Sequence, residues 1–100
     1  MEKRRPHYAL AAMQTRIAVM GAAAFTKTAL DGGRAMGLTT TEMLGVIAVL
    51  SRGDFHKSMT THADHRVWQD VYHAATPVGR MAYIKLTRVN ERPVVQFKEK

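Results

Sequence analysis

Three histidines and two aspartates lie within residues 58–73, together with the single tryptophan of the chain. His62 and His65 are three residues apart with Asp64 between them, a spacing that would place two metal ligands on one side of a helix. A catalytic zinc needs three protein ligands and an open fourth position, and the sequence marks no third ligand. The surrounding residues are typical of a loop in which Asp64 forms an Asx turn. We therefore expect no metal site here.

His73 is the last residue of this stretch, and one further histidine, His56, lies two residues before it. Imidazole changes charge near neutral pH, so either residue is a candidate acid or base, although a lone histidine is more often a polar surface residue. Ser58 lacks the strand–turn–helix context of a nucleophile elbow. No glycine-rich phosphate loop follows a predicted strand, so nucleotide-cofactor chemistry has no support and we expect no cofactor.

The charge of the chain indicates its class of partner. Fifteen Lys and Arg residues oppose eight Asp and Glu residues, which gives a net charge of +7 and a pI near 10.3 in 100 residues. A small basic surface attracts polyanions through Coulomb steering and counterion release, and nucleic acid is the commonest such partner. The alternative is a protein that is merely basic and well solvated. The length predicts a single domain over residues 1–100.

Cysteine is absent, which excludes disulfides and thiolate zinc sites. No apolar run is long enough to cross a membrane, and the charged start followed by Gln14 and Arg16 makes a poor secretory signal. We therefore expect a cytoplasmic protein with no membrane partner.

Apolar spacing predicts helices in the first half of the chain. His7 to Met20 has apolar residues three and four apart, after Pro6, which can open a helix. Thr26 is expected to cap a shorter second helix that ends at Gly37, although Gly32 and Gly33 within it each cost about 1 kcal/mol relative to alanine. A third helix is predicted after Thr39, which forms a capping box with Glu42.

The pattern changes to strands after Asp54. Strands are predicted at residues 55–60, 67–72, 81–89 and 94–98, with turns between them. Alternation in the last two places Ala82, Ile84 and Leu86 on one face, with Val95 and Phe97. The chain is therefore predicted to be α+β, with about three N-terminal helices packed on one face of a twisted antiparallel sheet. The opposite face carries polar and cationic side chains: Tyr83, Lys85, Gln96 and Lys98.

Three blocks of the sequence carry a resemblance to a known family. The opening MEKRRPHY, the block DFHKSMTTHADHRVWQDVY and the ending FKEK together resemble the MqsR family, toxins of bacterial toxin–antitoxin pairs with a fold like that of RelE-type ribonucleases. The resemblance runs from Met1 to Lys100 and is strongest at the termini and in residues 54–73.

The resemblance implies a metal-free endoribonuclease that cuts mRNA, with a preference for GCU sites, and that inhibits translation and growth in a persister-type response. It implies a cognate MqsA-like antitoxin with a zinc-binding half and a helix-turn-helix half. Any contact of the chain with operator DNA would then be made only through that antitoxin.

The residues treated as functional in the family match Lys57, Gln69, Tyr83 and Lys98 of this sequence. Two of them, Tyr83 and Lys98, fall on the cation-rich face that alternation predicts. As a working assignment, Lys57 and Lys98 stabilise the charge of the phosphorane, Tyr83 transfers a proton and Gln69 positions the substrate. A lysine could also act as the base if neighbouring cations lowered its pKa.

Three further residues are predicted to contact the substrate: Lys85, Arg88 and His56. Simple alternation would place Arg88 on the apolar face. His56 and His62 lie where family members often carry tyrosine, and His73 lies where they can carry arginine. A histidine beside the site could take over proton transfer or change base preference through stacking.

Two other interpretations are open on the sequence. The chain could be a non-catalytic nucleic-acid-binding regulator that acts with a partner protein, although no recognition helix with an evident reading face is present. It could also be a degenerate toxin that only sequesters an antitoxin, against which the presence of all four matched residues argues.

Overall fold

The computed structural model describes residues 1–100 and confirms the α+β fold. Its helices are α1 (Leu10–Met20), α2 (Lys27–Ala35) and α3 (Thr40–Ala48), with short 3-10 turns at Gly21–Ala24 and Arg52–Asp54. Its strands are β1 (Glu2–Lys3), β2 (Phe55–Thr60), β3 (Trp68–Ala75), β4 (Met81–Val89) and β5 (Arg92–Glu99).

The five strands form one antiparallel sheet in the order β1-β2-β3-β4-β5. All three helices contribute to a single core of 18 buried residues that includes Ile17, Met43, Ile84 and Phe97. One face of the sheet is therefore covered by helices, and we call the other the uncovered face. No helix is long and apolar enough to cross a membrane.

The N-terminal segment departs from the sequence prediction. α1 begins at Leu10, not at His7, and the unanticipated strand β1 pairs with β2. The backbone N–H groups of His7 and Tyr8 both donate to the buried carboxylate of Asp70, each at 2.9 Å. Because these donors are directed at the sheet, the chain crosses to the helical layer before the helix starts.

The glycines in α2 are explained by close packing. A Cβ at Gly32 would contact the backbone carbonyl oxygen of Phe97 and lie 3.3 Å from the Cα of Lys98. Gly33 would likewise clash with the side chain of Met43. The low helix propensity of these residues is offset because only glycine lets α2 lie directly on β5.

Both predicted helix caps are present. The Thr26 hydroxyl accepts a hydrogen bond from the N–H of Ala29, and Thr39 forms a reciprocal capping box with Glu42. The strands agree closely with the prediction. β2 and β4 have the expected bounds, β3 begins one residue later and ends three residues later than expected, and β5 is longer at both ends.

Candidate active site on the uncovered face of the sheet

Strands β4 and β5 place four polar residues on the uncovered face. Tyr83 lies opposite Lys98 in the strand register, and Lys85 lies opposite Gln96. The Nζ of Lys98 is 5.3 Å from the centre of the Tyr83 ring, and the Nζ of Lys85 is 6.0 Å from it. The phenol of Tyr83 is therefore flanked by two ammonium groups.

Strands β2 and β3 extend the same face. Gln69, Val71 and His73 alternate along β3, with His73 opposite Tyr83 and Val71 opposite both Lys85 and Lys57. A bulge between Phe55 and Lys57 interrupts the register of β2. Two consecutive residues, His56 and Lys57, consequently reach the uncovered face, where strict alternation would present only one.

Lys57 is engaged by an acidic partner from β1. Its Nζ donates to the Oε1 of Glu2 at 2.7 Å, and the hydrogen bond and charge of Lys57 hold the pKa of the Glu2 carboxyl below its usual value. β1 is held close by neighbouring contacts, since the Nζ of Lys3 lies 4.2 Å from the Trp68 ring and His7 stacks on that ring at 5.4 Å. The charge of Lys57 is therefore partly compensated within the chain.

The two histidines of the face form a stack that runs towards Tyr83. The rings of His56 and His73 are parallel within 24° with centroids 4.4 Å apart, and the His73 ring lies 5.4 Å from that of Tyr83. Burial, followed by the nearby charges of His56 and Lys100, lowers the pKa of His73. Its Nε2 atom is buried without a hydrogen-bond partner, so the neutral imidazole is favoured at neutral pH.

Lys85 is the lysine of the face with a perturbed pKa. Burial, and to a lesser degree the charge of Lys98, lowers the pKa of its ammonium group. A lowered pKa increases the fraction of neutral amine at a given pH, which is the property that a lysine base requires. The sequence predicts a lysine base of this kind but indicates Lys85 only as a substrate contact.

A pocket of about 360 Å³ opens beside these residues, between the first turn of α2 and strands β4 and β5. Eight residues line it: Thr26, Thr28, Ala29, Tyr83, Lys85, Gln96, Phe97 and Lys98. A concave site with two cations, a phenol and a carboxamide at its wall is suited to a polyanionic ligand with polar edges.

Comparison with known proteins identifies the family of the chain. The family described as "Motility quorum-sensing regulator, toxin of MqsA" matches residues 5–99. The chain belongs to the MqsR toxin family. The mRNA interferase toxin MqsR of Escherichia coli (strain K12) is 41% identical over 100 residues, and the match covers the whole of both chains.

The four residues that the family resemblance leads us to expect as functional share the uncovered face but do not form one tight cluster. Lys57 lies on β2 and Lys98 on β5, and three strand spacings separate these two strands by about 14 Å. Tyr83 and Lys98 are direct neighbours, and Gln69 is only 8% exposed. The structure therefore shows a strip across the sheet, long enough to contact more than one nucleotide.

Arg88 lies away from this strip. Its guanidinium group is 5.5 Å from the ring of Tyr8, beside the start of α1, because the alternation of β4 directs it to the helical side. Tyr72 is also on the covered face; burial, together with the charge of Asp70, raises the pKa of its phenol to about 12. Tyr72 is thus unsuited to proton transfer.

The loop between β2 and β3 has the Asx turn expected from the sequence. The Oδ1 of Asp64 accepts a hydrogen bond from the backbone N–H of Arg66 at 2.9 Å, and the Arg66 side chain returns to the same carboxylate. His62 and His65 are exposed, and no group of three or more His, Cys, Asp or Glu residues has the arrangement of a metal site.

Among the polar residues of the face and its pocket, Glu2, Thr28 and Gln96 are not predicted as site residues by the sequence. Alternation already placed Gln96 beside Lys85 and Lys98, so a signal for it existed in the sequence. No local pattern indicates that Glu2 or Thr28 lies near the strip, since each approaches it only through the tertiary fold.

Proposed function

We propose that the chain is the toxin of a toxin–antitoxin pair and acts as an endoribonuclease on single-stranded mRNA, thereby inhibiting translation and growth. The observation that carries the proposal is the phenol of Tyr83 between the ammonium groups of Lys85 and Lys98, on an open sheet face of a member of the MqsR toxin family. The name of the E. coli relative, an mRNA interferase toxin, supports the same activity. Because the proposed substrate is mRNA, we expect the protein to act in the cytoplasm.

The reaction needs no groups beyond those of the uncovered face. The ribose 2′-hydroxyl loses a proton and its oxygen attacks the adjacent phosphorus, while the bond from phosphorus to the 5′-oxygen breaks. The 5′-oxygen takes up a proton as it leaves, so the products are a 2′,3′-cyclic phosphate and a 5′-hydroxyl end. Fixed positive charge stabilises the phosphorane between these steps.

The position of each residue on the uncovered face indicates its role in this reaction. Lys98 stabilises the phosphorane, with Tyr83 beside it as the proton-transfer group. Lys57 and Gln69 contact the RNA farther along the strip, where Lys57 adds positive charge and Gln69 positions a ribose or phosphate oxygen. Lys85, with its lowered pKa, is a further candidate for the base that accepts the 2′-hydroxyl proton.

The donor set favours chemistry without a divalent ion. Magnesium is usually held by carboxylates together with substrate phosphates. The uncovered face instead presents ammonium, phenol, amide and imidazole groups around its pocket. These groups attract phosphate directly, so the RNA needs no bridging cation.

The proposal extends to cut-site preference and partner. A preference for GCU-like sites and a cognate MqsA-like antitoxin with zinc-binding and helix-turn-helix halves are expected from similarity to the MqsR family. The description of the family as a toxin of MqsA supports such a partner.

The test is incubation of the purified chain with mRNA in EDTA. We expect preferred cuts that leave cyclic or 3′-phosphate ends, and a loss of about 100-fold or more in Tyr83→Phe, as for removal of a group that transfers a proton. Lys57→Ala should also reduce cleavage without unfolding the chain.

Tyr72→Phe is the matched control, because it removes a phenol hydroxyl from the covered face. It should leave the cleavage rate unchanged. RNA that remains intact but migrates more slowly on a gel would contradict the proposal and favour a non-catalytic binding module.

A further inference from the structure

The pocket beside Tyr83 has the size of a small-ligand site. Its volume of about 360 Å³ falls within the range of roughly 300–1,000 Å³ typical of such sites. Lys85, Gln96 and Lys98 line it from the sheet, and Thr28 and Ala29 line it from α2. The pocket therefore continues the strip of the uncovered face up to the edge of the helical layer.

The walls of this pocket are held by the fold itself. Gly32 allows α2 to contact the backbone of β5 at Phe97. The N–H of Thr26 donates to the carbonyl of Val95 at 3.1 Å, and its hydroxyl caps the helix at Ala29. The pocket is thus bounded by a packed helix and a paired strand, so its shape precedes any ligand.

Gln96 is the group best placed to distinguish ligands in the pocket. It is partly buried and lies opposite Lys85 in the strand register. Its carboxamide has no hydrogen-bond partner within the chain, whereas that of Gln14 donates to three backbone carbonyl oxygens. A partly desolvated carboxamide without a partner favours a ligand that offers a donor beside an acceptor.

We propose that this pocket is a nucleoside subsite next to the scissile phosphate, in which Gln96 hydrogen-bonds a base edge and so helps to select the cut site. The inference rests on the proposed ribonuclease function. Unpaired RNA bases present their edges and stacking faces to proteins, and a glutamine carboxamide matches an adjacent donor and acceptor on a base. Lys85 and Lys98 then hold the phosphates on either side, and Thr28 contacts the ribose or base from α2.

The experiment compares cut sites in RNA of mixed sequence by mapping 5′ ends. In Gln96→Met, which keeps the length of the side chain, the base preference at one position flanking the cut should weaken about tenfold or more. Thr28→Val should shift the same position to a smaller extent. Val94→Ala, on β5 but outside the pocket, is the control and should keep the wild-type pattern.

An unchanged pattern of cuts in both Gln96→Met and Thr28→Val would overturn the inference while leaving the ribonuclease function intact. Should the wild-type chain cut no RNA, the proposed function fails, and the subsite is tested by the affinity for short oligonucleotides in which each position carries each of the four bases in turn. Base-dependent weakening in Gln96→Met would then support the subsite. Equal affinity of the variant and the wild type for every base would overturn it.

Discussion

The uncovered face divides into two halves that differ in how their polar groups are used. In the β2–β3 half, Lys57 is paired with Glu2, His73 is stacked beneath His56, and Gln69 is nearly buried. In the β4–β5 half, four polar side chains surround an open pocket: Tyr83, Lys85, Gln96 and Lys98. The polar groups of the first half are thus ion-paired, stacked or buried, whereas those of the second half line a pocket that is open to a ligand.

The difference indicates where an RNA phosphate is held most strongly. An ammonium group that is not ion-paired offers its full charge to an incoming phosphate, whereas Lys57 must first exchange the carboxylate of Glu2 for it. We therefore expect the chemical step at the β4–β5 half and RNA positioning at the β2–β3 half. The following experiments test this division.

The largest expected effect is the difference in cleavage between the alanine variants of Lys98 and Lys57. Lys98→Ala should reduce kcat by about 100- to 1,000-fold, as for loss of a group that stabilises transition-state charge. Lys57→Ala should cost about tenfold and act mainly through KM, because its charge is already compensated. Steady-state cleavage of a short RNA measures both values.

Lys27→Ala serves as the matched lysine control, since the Lys27 side chain on α2 is 92% exposed. It should leave both constants unchanged. Equal losses of kcat in Lys57→Ala and Lys98→Ala would contradict the assignment of the chemical step to the β4–β5 half.

A smaller effect is expected for Glu2→Gln, which should strengthen RNA binding rather than weaken it. Removal of this carboxylate frees the Lys57 ammonium and removes repulsion of phosphate, so RNA affinity should rise about two- to fivefold, the scale of an exposed ion pair. Fluorescence anisotropy with a labelled, non-cleavable oligonucleotide measures this affinity. Weaker binding would instead show that Glu2 holds Lys57 in its working position.

The smallest effect concerns pH and the stacked histidines. The pKa of His73 is lower in the folded chain than in the unfolded chain. At pH values between these two pKa values the unfolded chain therefore binds more protons than the folded chain. The free energy of unfolding consequently falls as the pH drops below about 6.5. His56, Tyr83 and Lys100 are the titratable groups nearest to it. His73→Phe, which keeps a ring in the stack, should weaken this loss of stability in urea unfolding between pH 7.5 and 5.5.

Burial and the charge of Lys3 also lower the pKa of His7, so His7 likewise reduces the stability of the fold as the pH drops. His7 is still present in the His73→Phe variant. The dependence on pH should therefore shrink but not vanish. Identical slopes in His73→Phe and the wild type would show that the stack does not favour the neutral imidazole.

Much of the fold follows from local sequence pattern. Alternation in residues 81–89 predicts both the bounds of β4 and the face of Tyr83, and the capping box at Thr39 predicts the start of α3. The first helix was wrongly extended to His7 because its N-terminal limit is set by the distant carboxylate of Asp70. β1 was missed because two residues carry no periodicity, and its pairing depends on β2.

The site was predictable in its residue types more than in its arrangement. Alternation identified the cationic face, and similarity to the MqsR family supplied Lys57 and Gln69. The pairing of Glu2 with Lys57 and the wall formed by α2 depend on contacts between distant segments. These features arise from tertiary packing, which no local pattern in one sequence records.

The bulge in β2 makes this part of the chain sensitive to changes in length. Deletion of the one residue between Phe55 and Lys57 would restore regular pairing and leave room for only one of the two adjacent side chains that now reach the uncovered face. An insertion there would rotate Phe55 out of the core, where its ring contacts Tyr72 at 5.6 Å. The number of residues at this point is therefore fixed by the pairing of β2, whereas a change of residue type at His56 alters the side chain on the uncovered face without altering that pairing.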